Sequence, residues 1–101
     1  MHVRMARYTT DGDVHELITR AEEGLLPLFE SSPGFRAYSI AVSGNEIFSF
    51  SVWDGAEEAE AANEAAAGWV VENMADDITI VETNIGELLL STTLGVSPAR
   101  A

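Results

Sequence analysis

The chain predicts a single α+β domain of β-α-β-β-α-β order, a split-βαβ architecture. Three observations carry that expectation. Two segments repeat apolar residues at helical spacing behind an acidic cap, at 13–30 and 54–75. Four segments are extended, at 2–8, 35–42, 47–53 and 78–90. The middle two strands are joined by Ser43-Gly44-Asn45-Glu46, whose Gly44-Asn45 pair suits a two-residue type II′ hairpin turn.

The elements follow in order. His2 to Tyr8 sets Val3 and Met5 on one face and Arg4, Ala6 and Tyr8 on the other, a strand with both faces at least partly covered. After the Thr9–Gly12 turn, Asp13 is placed to accept helix amide hydrogens while Glu16 reaches back. Val14, Leu17, Ile18, Ala21, Leu25, Leu28 and Phe29 form the inner stripe of the first helix. Gly24 and Pro27 interrupt it, predicting a kink near Gly24, and Leu26 falls off the stripe. Ser31 to Gly34 ends the helix.

In the hairpin, Val42 should oppose Ile47, Ile40 Ser49, Tyr38 Ser51 and Arg36 Trp53, leaving Phe35, Ala37, Ser39 and Ala41 beside Phe48, Phe50 and Val52. Neither face is polar enough for water, yet two helices shield only one. Asp54 and Glu57 predict a capping box for the second helix, which runs to about Ala75 with Ala59, Ala62, Ala66 and Val70 inside. The last strand, 78–90, exceeds the usual five or six residues, so its excess is expected to pair outside its own sheet, with Gly86 marking a bulge. The domain is placed at 1–92 and a loose tail at 93–101.

Composition narrows the function. A chain of 101 residues buries little more than about 60% of its unfolded surface, enough for one modest core. No apolar stretch approaches the roughly 20 residues that span a bilayer, and the N-terminus lacks the apolar core of a signal peptide, so a cytoplasmic location is expected. With no cysteine, thiolate nucleophiles, disulfides and cysteine metal sites are excluded. Seventeen acidic residues face five arginines and no lysine, a net charge of −12. That field repels phosphate backbones and anionic lipid, which argues against nucleic-acid and membrane partners, and it predicts stability that rises with salt unless the carboxylates are simply solvated. An RNA-recognition module shares the element order and has spaced aromatics like Phe48 and Phe50, but Glu46-Ile47 replaces its basic start.

The Arg7-Tyr8 strand end, Leu25-Leu26-Pro27-Leu28, Pro33-Gly34-Phe35, the Phe48–Trp53 strand and the Ala-rich helix holding Asn63 and Trp69 resemble the antibiotic-biosynthesis-monooxygenase-like family, over roughly residues 2–92. The resemblance implies a ferredoxin-like sandwich with an antiparallel sheet, pairing sheet against sheet with a second copy into a dimeric α/β barrel. It also implies a ligand between sheet and helices and, in active members, cofactor-free oxygenation of polycyclic phenols or quinones. That chemistry needs a dry apolar cleft, a proton acceptor and donors aimed at a developing enolate oxygen.

The resemblance makes Asn63 and Trp69 candidate catalytic residues, although six helical positions subtend about 240° and they cannot point the same way. Asn73 and Trp69 stand one turn apart, so Asn73 is a ligand-binding candidate with Arg7 and Tyr38. The competing reading makes Trp69 and Tyr38 packing groups, Asn63 a flank residue, and Arg7 and Arg36 partners of carboxylates. No cofactor is implied. The only imidazoles, His2 and His15, have no imidazole neighbour, and the second helix lacks the histidine that haem-degrading relatives use, so no metal or haem site is expected. The acidic pairs Glu22-Glu23, Glu57-Glu58 and Asp76-Asp77 read as solvated surface. Two classes remain: an oxygenase with polar groups converging on an apolar hollow, or a non-catalytic ligand-binding or structural dimer whose hollow is filled by Trp69, Met74 and phenylalanines.

Overall fold

The computed structural model describes residues 1–98. Its elements are β1 (His2–Thr10), α1 (Val14–Glu30), β2 (Phe35–Ser43), β3 (Glu46–Trp53), α2 (Ala56–Asn73) and β4 (Ile78–Glu87). The four strands form one sheet in the order β2-β3-β1-β4, every neighbouring pair antiparallel. This is the ferredoxin-like arrangement that the element order implies.

Alternation along the central strands settles which face the helices cover. Arg4, Ala6, Tyr8 and Thr10 of β1 and Ile47, Ser49, Ser51 and Trp53 of β3 are buried, while Val3, Met5, Arg7, Phe48, Phe50 and Val52 point the other way and keep solvent contact. Two core clusters lie on the covered face. One joins Ala6, Tyr8, Leu17, Ala21, Ile47, Val70 and Met74; the other joins Leu25, Phe29, Trp53, Ala59, Ala62 and Ala66. Trp69 packs against both. Phe29 meets Trp53 and Tyr38 edge-on at ring centroids 5.3 and 5.0 Å apart, and Trp53 Nε1 donates to Ser51 Oγ at 2.9 Å, so the largest side chain of the core leaves no polar atom unpaired.

Local departures from expectation have identifiable causes. Asp13 caps α1 as expected, its carboxylate accepting from the amides of His15 and Glu16 at 3.0 and 3.3 Å. Asp54 does not cap α2: it is taken by the guanidinium of Arg36, and Gly55 occupies the cap position without a side-chain bond. The hairpin register holds from Val42↔Ile47 to Tyr38↔Ser51, but an irregularity between Phe35 and Ala37 brings Phe35, not Arg36, opposite Trp53. Phe35 thereby turns to the covered face, 5.4 Å from Trp53 by ring centroids. The bulge in β4 lies at Val81, where the pairing with β1 shifts between Arg7 and Tyr8, and not at Gly86, which pairs regularly with Val3. β4 closes at Glu87, and α2 at Asn73. Beyond β4, Leu88 N donates to Met1 O at 2.9 Å, whereas Leu89 and Leu90 are exposed and unpaired with any strand. Ser91 and Val96 exchange both backbone hydrogen bonds, giving the first part of the expected loose tail a closed turn; residues 99–101 of that tail lie outside the described residues.

Gly24 does something other than break a helix. α1 runs without interruption from Val14 to Glu30, with Pro27 in its last turn. A Cβ on Gly24 would lie 2.4 Å from Cζ2 of Trp69, so the missing side chain is what lets the indole of α2 lie against α1.

Candidate functional site

Strand alternation forces a charged residue into the core. Arg4 is in phase with Ala6 and Tyr8 on the covered face of β1 and is only 2% exposed. Its Nε donates to Asn63 Oδ1 at 2.8 Å and its Nη2 to the Tyr8 hydroxyl at 3.0 Å, while Nη1 is buried with no partner. Asn63 reaches it because it follows the buried Ala59 and Ala62 and precedes Ala66 on the inner side of α2, where small residues let the helix approach the sheet. Arg7, Arg20 and Arg36 each pair with a carboxylate. Among the described residues, Arg4 has no such partner.

The neighbourhood is rich in donors. Tyr8 accepts from Arg4, and among the described residues neither its hydroxyl proton nor the Asn63 amide nitrogen has a protein acceptor. Ser49 Oγ is buried without a partner in hydrogen-bonding geometry. Burial pushes the Tyr38 phenol above its usual pKa; the adjacent Ser49 hydroxyl draws it back, the Tyr8 phenol adds to the rise, and the Arg4 charge opposes it. Tyr38 therefore stays a protonated donor at neutral pH.

Beside this cluster, Tyr8, Ile18, Ile40, Trp69, Val70 and Met74 are among the residues that wall an apolar hollow of about 30 Å³, room for a water or two. A wider groove of about 210 Å³ runs outside it between α1 and β2, lined by Ile18, Glu22, Leu26, Tyr38 and Ile40. Ile18 and Ile40 belong to both, so they stand as the partition between groove and hollow. Leu26, off the helix stripe in sequence, has its place in this groove.

The sequence candidates are thus distributed unevenly. Asn63, Trp69 and Tyr38 come to one region between sheet and helices, Asn63 toward Arg4 and Trp69 across Gly24. Arg7 lies on the opposite face, bonded to Glu46 at 3.2 Å and Glu82 at 3.3 Å, beside a depression of about 220 Å³ that includes Met5, Phe48, Phe50 and Asn84. Asn73 is exposed; its amide donates to Trp69 O at 2.8 Å, and its carbonyl accepts from Arg20. Sequence reasoning missed Arg4, although its phase with Ala6 and Tyr8 in a strand with a buried face was the available signal. His15 is exposed, and among the described residues no three His, Cys, Asp or Glu side chains come together as a metal site would require. No helix of the described residues is long and apolar enough to cross a membrane.

No family model and no curated protein matches this sequence. Solved structures do match in fold. SnoaB, a cofactor-independent oxygenase from Streptomyces nogalater, superposes with a TM-score of 0.71 at 17% identity, over 90% of this chain and 95% of its own. A dimeric ferredoxin-like protein from an uncultured marine organism gives 0.63 at 14% identity over 90% and 97%. MupZ from Pseudomonas fluorescens gives 0.68 at 15% identity over 83% of this chain, which spans 65% of the MupZ length. Chains described as antibiotic biosynthesis monooxygenases are matched as well, at 18% identity. The chain has the fold of the antibiotic-biosynthesis-monooxygenase-like and dimeric ferredoxin-like proteins.

Proposed function

We propose that this chain forms a homodimeric α/β barrel that binds a small, largely apolar aromatic molecule between its sheet and helices, and that it acts there as a cofactor-independent monooxygenase of a polycyclic phenol or quinol. The observation that carries this reading is the polar chain Asn63–Arg4–Tyr8, whose Tyr8 end lines an apolar hollow walled by Trp69, with Tyr38 on the adjoining groove. In such a reaction a ring methylene beside the phenol loses a proton, the carbanion passes an electron to O₂, and the oxygenated adduct collapses to a carbonyl. One oxygen atom stays in the product and the other leaves as water. In this reading the Asn63 amide donates to the enolate oxygen that develops, and Trp69 keeps the wall apolar so that this bond forms in a dry medium.

The uncovered face supports the dimer: Met5, Phe48 and Val52 are half-buried there and Phe50 is 40% exposed. A second copy of the same sheet covers such a face isologously. Arg7 then belongs to the subunit contact. Light scattering is expected to give twice the chain mass of 10.9 kDa.

One observation favours a second reading, a non-catalytic ligand-binding or structural dimer: the hollow holds only about 30 Å³ because Trp69 and Met74 already occupy its walls. Oxygen uptake with anthrone- and quinol-type compounds separates the two. The oxygenase reading expects turnover that Asn63→Ala lowers by about 10²–10³-fold, the cost of one lost oxyanion donor, and that Trp69→Ala also lowers. Absence of uptake across the panel leaves the binding module.

A further inference from the structure

We infer that the interior site selects a ligand bearing an ionised oxygen, a flat aromatic carboxylate or a comparably acidic oxyanion, and that Arg4 is the group that recognises it. This rests on the reading that the sheet–helix interior is a ligand site, and it adds the charge of the ligand.

The argument begins with an imbalance. The chain carries 17 carboxylates, and three of its arginines each find one. The remaining described arginine is the most deeply buried of all and faces none. A guanidinium keeps its charge at any pH a protein meets, so it cannot escape burial by losing a proton as a lysine does. Burying such a charge without a counter-ion is among the costliest things a small domain does. Asn63 and Tyr8 supply only neutral oxygens, and both serve the Nε and Nη2 side, which leaves Nη1 with two hydrogens and no acceptor.

The rest of the cluster has the same polarity. Among the described residues the Tyr8 hydroxyl proton and the Asn63 amide have no protein acceptor, and Tyr38 remains protonated. A neutral ligand carbonyl would accept from one of these and leave the cation uncompensated. An oxyanion accepts from Nη1 and a neighbouring donor at once and neutralises the charge, through a charge-assisted hydrogen bond about twice as strong as one between neutral groups. The apolar walls suit the other end of the molecule: about 30 Å³ is too little for a ring, so the aromatic body lies against Trp69 only where the hollow opens into the outer groove of about 210 Å³, with the anion toward the sheet. The outer groove gives the route, since displacing Ile18 or Ile40 joins it to the hollow.

Calorimetric titration with 2-naphthoate and its neutral isostere 2-naphthamide tests this on the unaltered protein. The acid is expected to bind at least tenfold more tightly, and Arg4→Met is expected to abolish the preference, so that acid and amide bind with equal affinity. A folded Arg4→Met whose melting temperature equals or exceeds that of the parent shows that the guanidinium was not retained for stability. Arg4→Lys should keep part of the preference. Equal affinity for acid and amide overturns the inference and leaves the ligand site standing; no binding of either overturns both. If Arg4→Met does not fold, Arg4→Gln carries the same comparison, and retention of the preference in that variant counts against Arg4.

Discussion

Arg4 and Arg7 stand three residues apart on one strand and have opposite fates. Strand alternation sends Arg7 to the open face, where Glu46 and Glu82 pair with it in partial solvent, and sends Arg4 under the helices, where only neutral oxygens meet it. The same contrast runs through the two faces at large. The covered face closes around Trp53, which is fully buried, with its one polar atom satisfied; the open face shows Phe50 and Met5 to water. One side has solved its packing but carries an uncompensated charge, and the other has balanced its charges but left its apolar surface uncovered. The two proposals answer these deficits in turn: an anionic ligand for the inner charge, a second copy for the outer surface.

The largest effects should come from the aromatic pair that sits on these two faces. Trp53→Ala empties a fully buried site with neighbours at Phe29 and Phe35 and is expected to cost about 3–5 kcal/mol in denaturant unfolding. Phe50→Asp, on the other face of the same strand, should yield a folded monomer by light scattering with its circular dichroism intact. A dimer that survives Phe50→Asp would move the subunit contact elsewhere.

Next in size is Gly24→Ala. Within a helix this change ordinarily stabilises by up to about 1 kcal/mol, but here the new methyl meets the Trp69 ring at a distance no packing tolerates. Destabilisation of about 1–3 kcal/mol is expected, with a change in Trp69 fluorescence. A neutral or stabilising result would mean that the indole has room to leave α1, and that the hollow it walls opens easily.

How much of this could be read from the sequence depended on whether a residue acts through its period or through a contact made elsewhere. Elements and faces were readable because helical and strand spacing are local, and the inner stripe Ala59, Ala62, Ala66 and Val70 is buried as the pattern requires. Asp54 had the right spacing for a cap but lost that role to Arg36, a partner 18 positions away that the local pattern does not reveal. Gly24 read as a kink site because Trp69, the contact that explains it, lies 45 positions on. The site was half-readable for the same cause. The resemblance pointed to Asn63 and Trp69, yet what gives Asn63 its setting is the guanidinium that β1 turns inward.

Tyr38 sharpens the comparison through pH. Its phenol holds its proton more tightly in the folded chain, chiefly because burial disfavours the phenolate. A raised folded pKa stabilises fully below the unfolded tyrosine value of about 10 and is lost as pH climbs past it toward the folded value. Melting temperatures from pH 8 to 11 should therefore fall more steeply for the parent than for Tyr38→Phe; parallel curves would mean that the phenol is as well hydrated in the fold as out of it.

The smallest effect belongs to Arg7. Its two ion pairs are about one-third exposed on the arginine side and more on the carboxylates, so solvent screens them. Arg7→Ala in the monomeric Phe50→Asp background should change stability by no more than about 1 kcal/mol, less as salt is added. In the proposed dimer the same substitution would strip compensation from Glu46 and Glu82 just where a second sheet of equal charge would approach, and apolar contact alone would have to meet the repulsion of two such acidic faces. The effect on dimer dissociation should accordingly exceed the effect on monomer unfolding, and a dissociation constant indifferent to Arg7→Ala would place those carboxylates outside the contact.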